Sequence, residues 1–165
     1  MMKNLLGMAV LAGFVTVLGC VQTPQGAPAS AVAINESEGG FDSSRNAAKD
    51  IAVAVKLAKA QHKHVLLDVG GNWCPWCKKL NGCMEGDPAI AKFLKAKYVV
   101  VKVNWSPENQ NTSVLSKYAK IEGYPHLFVL DGAGKLLRSQ EMDALEAGDH
   151  HDPAKVLAFL KKWSG

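Results

Sequence analysis

Cysteine is scarce in this sequence. Four occur in 165 residues, at positions 20, 74, 77 and 83, and only Cys74 and Cys77 form a C-x-x-C pair. A structural zinc site wants four ligands, and with no second C-x-x-C and no H-x-x-x-H pattern that reading is excluded. Lys78, not His, follows Cys77, which excludes haem attachment. The net charge is only +4, and the lysines and arginines form no basic run and no ladder with aromatic residues. They read as a solvated surface, and nucleic acid is not an expected partner. No internal repeat is present. The one extended apolar run, Leu5 to Leu18, is too short to read as a membrane-spanning helix. What remains is a globular composition, 48% hydrophobic, with enough apolar residues for a core that needs no disulfide staples.

Lys3 ahead of the apolar run gives the pattern of a signal peptide, residues 1–19. It ends Val17-Leu18-Gly19-Cys20, which resembles the lipobox of bacterial lipoproteins. By that resemblance Cys20 becomes the lipidated first residue of the mature chain and ties it to a membrane. Simple secretion, with cleavage near Ala29-Ser30-Ala31, is the rival, but that site lies far beyond the apolar run. Val21, rather than Asp, after the cysteine implies the outer membrane where a cell has two. Either reading exports the protein to the periplasm or cell envelope. Residues 20–41, rich in Gln, Pro, Gly, Ala and Ser, form a flexible linker. Such a tether of about 20 residues has an r.m.s. span of roughly 25 Å. In an oxidising compartment, Cys74, Cys77 and Cys83 then suggest one pair with one thiol left over.

The stretch Asn72-Trp73-Cys74-Pro75-Trp76-Cys77-Lys78-Lys79-Leu80 follows a strand-like run, His64 to Val69, and precedes an apolar-periodic segment. Cys74 is placed as a helix N-cap and Pro75 as the first helical residue, where its fixed φ fits and its missing N–H costs nothing. The Cys74 sulfur then faces the unpaired N–H groups of the first turn, including that of Cys77, and these with the helix dipole favour a thiolate. A thiolate beside a second thiol is the apparatus of disulfide exchange. A purely structural bridge is the bland reading, but a C-x-x-C disulfide closes a tiny loop and constrains little of the unfolded chain. A copper(I) site from Cys74, Cys77 and Met84 or His126 is the metal alternative, as in a copper metallochaperone.

The rest of the domain, residues 42–165, reads as α/β. Asp42, Ser43 and Ser44 offer caps for a helix to about Gln61, with Ala47, Ile51, Ala54, Val55 and Ala58 on one face. The nearly continuous apolar run at 64–69 predicts a strand covered on both faces. Leu80 and Met84 extend an apolar face from Cys77, Asp87-Pro88 opens a short helix to about Lys97, and 98–103 is a second strand. Two strands joined through helices make a parallel pair. A polar loop at 105–111, a helix through Val114, Leu115, Tyr118 and Ile121, a strand at 127–130, a turn at Asp131-Gly132-Ala133-Gly134 and a return strand to Gln140 follow. Residues 141–151 read as a polar loop, and Asp152-Pro153 opens the last helix. Cys83 reads as a small buried hydrophobe; His150 and His151 receive no role.

This order of elements, over roughly residues 42–163, resembles the thioredoxin superfamily. Trp73-Cys74-Pro75-Trp76-Cys77-Lys78 is similar to its W-C-x-x-C-K site, Asp68 to its buried aspartate, Lys102 in V-K-V-N to that aspartate's lysine partner, and Gly123-Tyr124-Pro125 to its cis-proline loop. Pro75-Trp76 between the cysteines is nearer the Pro-Tyr of glutaredoxins, and Gly70-Gly71 replaces a bulkier pair. The resemblance implies a central mixed β-sheet flanked by helices and a thiol–disulfide oxidoreductase with no cofactor beyond a redox-active Cys74–Cys77 disulfide. Cys74 is the implied nucleophile and the better exposed of the two, and Cys77 resolves the mixed disulfide. Asp68 takes the proton from Cys77, and Lys102 partners Asp68. Tyr124 and Pro125 offer backbone to an extended substrate. Trp73 and Trp76 serve either as an apolar rim for that substrate or as packing residues. The Asp68/Lys102 pair points to a reductase rather than an oxidase or isomerase. An exported reductase implies protein substrates with disulfides and a membrane thiol-reducing electron donor.

Overall fold

A computed structural model describes residues 40–165; the signal-peptide reading, Cys20 and nearly all of the linker lie outside the described residues. The first helix, α1 (Ala47–Gln61), is capped by Asn46, whose side chain accepts from the Lys49 N–H. It starts later than the Asp42–Ser44 caps would have it. Asp42 instead spends its carboxylate on the Ser44 N–H and hydroxyl, at 2.8 and 2.7 Å, closing a turn ahead of the helix. Ala47, Ile51, Ala54 and Ala58 face inward, and His62 ends the helix in the left-handed region, at φ 53°.

Four strands form the central sheet: β1 (His64–Gly70), β2 (Tyr98–Asn104), β3 (His126–Leu130) and β4 (Leu136–Glu141), in the order β2-β1-β3-β4. β1 and β2 are parallel, joined through α2 (Pro75–Gly86) and α3 (Pro88–Lys97); β3 runs antiparallel to β1, and β4 to β3. Alternation along β1 sends Val65, Leu67 and Val69 into a core with α1, Val101, Val103, Phe128 and Leu130. Leu66 goes to the opposite core, with Leu80, Met84, Ile90, Leu127, Val129 and the last helix, α5 (Pro153–Lys162). Cover on both faces is why the strand carries few polar residues; Asp68 and, at its half-buried start, His64 are the exceptions. Asp87 links α2 to α3, its carboxylate capping the N–H groups of Ala89 and Ile90.

Two segments differ from the sequence reading. The helix expected through Ile121 is one turn, α4 (Thr112–Leu115). After Leu115 the chain closes into tight turns, the N–H groups of Lys117 and Tyr118 donating to the carbonyls of Val114 and Leu115 at 3.1 and 3.0 Å, and the helix goes no further. Tyr118 still stacks its half-buried ring on Phe128, but from a bend. Residues 141–151 are not a polar loop. Met142–Leu145 is a turn of 3₁₀ helix with Met142 and Leu145 buried, and β5 (Glu146–Ala147) pairs with β6 (His150–His151) in a small hairpin. Among the described residues no helix is long and apolar enough to cross a membrane.

Candidate active site

The C-terminal end of β1 delivers the chain to the N-terminus of α2, and the two cysteines sit at that junction. Cys74 is the N-cap, Pro75 the first helical residue, and the Cys77 N–H points at the Cys74 sulfur at 3.1 Å. The pair is joined as a disulfide, with Cα atoms 5.3 Å apart. Both residues are covered: Cys74 is 3% exposed and Cys77 1%. The cap position therefore does not leave Cys74 open to solvent, as the sequence reading had it. Phe41, Trp76 and Tyr124 pack over the pair. The Tyr124–Pro125 peptide bond is cis, and the Tyr124 carbonyl oxygen lies 3.6 Å from the Cys74 sulfur.

The residues ahead of the cysteines explain their own identities. A Cβ on Gly71 would overlap the Trp73 indole and the Trp105 carbonyl; its absence lets the Trp73 N–H reach that carbonyl at 2.7 Å. Asn72 clamps Phe41 by two reciprocal hydrogen bonds of 2.7 Å, accepting from its N–H and donating to its carbonyl. Phe41, assigned to the linker by sequence, is thereby held against the disulfide.

Behind Cys77 lies a buried polar cluster. Asp68 is fully buried, and burial pushes its carboxyl up to about 7 against the opposing pull of the Lys102 ammonium. Asp68 and Lys102 are register partners on β1 and β2. The Lys102 ammonium also donates to Glu85 at 3.0 Å. Asn81 bridges Asp68 and Lys102. With its amide nitrogen toward Asp68 Oδ2 at 3.2 Å, its oxygen accepts from Lys102 Nζ at 3.1 Å. Among the described residues the second carboxylate oxygen of Asp68 has no hydrogen-bond partner. Sequence reasoning missed Asn81 and Glu85, although their spacing, four and eight residues beyond Cys77 on one helix, puts them on its face.

Aromatic residues frame the opening. Trp73, 51% exposed, meets Trp105 and Tyr124 edge-on, and Trp105 stacks on Tyr124 at 4.9 Å. Trp76 lies between Lys79, whose ammonium is 4.5 Å from the ring centre, and the His151 ring at 5.2 Å. His151, given no role by sequence, is buried with Nε2 3.3 Å from the Trp76 carbonyl oxygen. A cleft of about 340 Å³ runs from Trp76 and the cis-proline loop to Glu141, Asp143 and Glu146. The residues offered for copper are engaged elsewhere: Met84 is buried in the core with α3 and α5, and His126 Nε2 is 2.8 Å from Ser139 Oγ. Among the described residues no group of three or more His, Cys, Asp or Glu could hold a metal. Cys83 is a free thiol, half-buried rather than buried, against the α2 core.

The sequence model of a family described as thioredoxin-like matches residues 46–132. A thiol:disulfide interchange protein, DsbD, of Actinobacillus pleuropneumoniae is 32% identical over 93 residues, 56% of this chain; that stretch is 16% of the relative's length. Among solved structures, a disulphide isomerase of Xylella fastidiosa superposes with a TM-score of 0.66 at 22% identity, covering 74% of this chain and 94% of that one. A DsbH oxidoreductase gives 0.53 at 27% identity, covering 67% and 78%. Both share the mixed sheet flanked by helices.

Proposed function

The chain belongs to the thioredoxin-like family, and from that premise we propose that it is an exported thiol–disulfide oxidoreductase acting as a disulfide reductase. One observation carries the reading. A C-x-x-C pair caps α2 opposite a cis-proline, with the N–H of the second cysteine directed at the sulfur of the first. In the reduced protein that N–H and the first-turn dipole favour a thiolate on Cys74. The thiolate attacks a substrate disulfide; the bond between the substrate sulfurs breaks, and one leaves as a thiolate. Cys77 gives its proton to Asp68 and attacks the Cys74 sulfur. The Cys74–Cys77 bond forms, and the second substrate sulfur leaves with its electron pair. Lys102 steadies the charge on Asp68 until the proton arrives. The Tyr124 and Pro125 backbone receives an extended substrate, with Trp73 and Trp76 as its apolar rim.

Each turnover leaves the pair oxidised, so a membrane thiol-reducing donor must restore the dithiol, and exported proteins bearing disulfides are the substrates. Relatives named as thiol:disulfide interchange proteins support this setting, as does the signal-peptide pattern, with a lipid on Cys20 holding the domain at the periplasmic face of the outer membrane. The test is insulin-disulfide reduction together with the reduction potential in glutathione buffers. Turnover and a potential near the thioredoxin end of the family span, roughly −270 mV, is the expected result. A potential near the oxidant end, roughly −120 mV, would make it an oxidase.

A further inference from the structure

Resting on that reading, we infer that Glu85 and Asn81 are positioning residues for the resolving step, setting the protonation of Asp68 through a bridge that reaches the surface. Asp68 is enclosed. Lys102 faces it from β2, the side chain of its β3 partner Leu127 is apolar, and α2 supplies Asn81 and Glu85. A buried carboxylate there must be matched by the Lys102 charge, and how much of that charge it receives depends on what else holds the ammonium. Glu85 accepts from it at 3.0 Å, and the Asn81 oxygen at 3.1 Å, while the Asn81 nitrogen supplies Asp68 with a hydrogen bond. The Glu85 side chain is 65% exposed. It stands with Asn81, Lys102 and Gly82 on the wall of a cleft of about 440 Å³ that also reaches Phe41 and Asn72 beside the disulfide. Glu85 thus draws the ammonium outward and leaves Asp68 a stronger base. When Cys77 attacks, its sulfur loses a proton to Asp68, forms the bond to Cys74 and expels the substrate thiolate; Asp68 returns the proton to water before the next cycle. A weaker base takes that proton less readily, whereas an overly strong one stays protonated.

The consequences have a sign. Removing the Glu85 charge gives Asp68 more of Lys102 and lowers its titration midpoint. Replacing Asn81 by an apolar residue removes a hydrogen bond to the ionised form and raises it. The experiment follows the Asp68 carboxyl carbon by NMR across pH in the reduced full chain, in the wild type, Glu85→Gln, Glu85→Asp and Asn81→Leu, alongside the pH profile of disulfide reduction. Glu85→Gln is expected to lower the midpoint by roughly half a pH unit, Asn81→Leu to raise it, and Glu85→Asp to stay near the wild type. The acidic limb of the rate profile should move with each midpoint. A Glu85→Gln midpoint equal to that of the wild type overturns the inference. Midpoints that move as expected in a protein without reductase turnover sustain the bridge and overturn the proposed activity instead. Glu85 lies at the surface, so its substitution leaves the fold intact; should Asn81→Leu not fold, the Glu85 pair still decides.

Discussion

Gly70 and the Cys77 sulfur occupy adjoining space: a Cβ on Gly70 would come within 2.5 Å of Sγ and 3.1 Å of the Phe41 ring. The last residue of β1 has no side chain because the second cysteine needs that volume. Gly70→Ala is therefore expected to push the first turn of α2 off the sheet. Overpacking of this kind costs about 1–3 kcal/mol, read by urea denaturation, and insulin reduction should fall by about tenfold or more. A variant as stable and as active as the wild type would show that α2 yields freely at this point.

Asn72 holds Phe41 over the disulfide by two hydrogen bonds. Asn72→Ala removes both, at a cost of about 1–2 kcal/mol, and frees the aromatic cover. In the reduced protein, alkylation of Cys77 should then quicken several-fold while Cys74 changes less. Unchanged labelling of Cys77, measured by mass spectrometry, would mean that Phe41 stays in place without the clamp.

Two buried groups give stability opposite dependences on pH. Asp68 has its folded value raised by burial, to about 7. The folded state thus binds a proton that the unfolded chain has released, and its contribution is present below the ordinary carboxylate value and lost as pH rises toward 7. Asp68→Asn should gain stability relative to the wild type between about pH 4 and about pH 7, at roughly 1.4 kcal/mol or less per pH unit. His126 is the reverse. Burial lowers it to about 4, so its contribution is present above the ordinary histidine value and lost as pH falls. His126→Asn should lessen the loss of stability on the acid side. Parallel curves for Asp68→Asn and the wild type would place Asp68 in contact with water.

The anchor is tested apart from the chemistry. Cys20→Ala should abolish fatty-acid labelling and membrane association of the full chain while insulin reduction by the folded domain persists. An N-terminus near Ala31 in the wild type, found by mass spectrometry, contradicts the lipobox reading.

Local signals carried much of the fold. The cap-and-proline pairs Cys74-Pro75, Asp87-Pro88 and Asp152-Pro153 mark helix starts that the structure keeps, and the apolar run of β1 announces its burial on both faces. The misses have a common cause. Phe41, Trp105 and His151 reach the site from residues distant in sequence, through contacts that no local period records. Met142 and Leu145 were buried by the core beneath them although their neighbours are polar. Cys74 looked exposed because its cap position is at a helix end; the cover comes from Tyr124, Trp76 and Phe41. Asn81 and Glu85 were legible in principle, on the helical face of Cys77, but only the placement of Lys102 gives that face a charge to hold.

Trapping of mixed disulfides tests the central claim most directly. Cys77→Ser keeps the proposed attacker and removes the resolver; Cys74→Ser does the reverse. Each variant, reduced and mixed with disulfide-bearing exported proteins, is resolved by non-reducing electrophoresis and peptide mass spectrometry. Stable mixed disulfides through Cys74 in Cys77→Ser, and almost none in Cys74→Ser, are the expected result. Better trapping by Cys74→Ser would contradict the assignment of the two cysteines, and no trapping by either would contradict disulfide exchange as the activity.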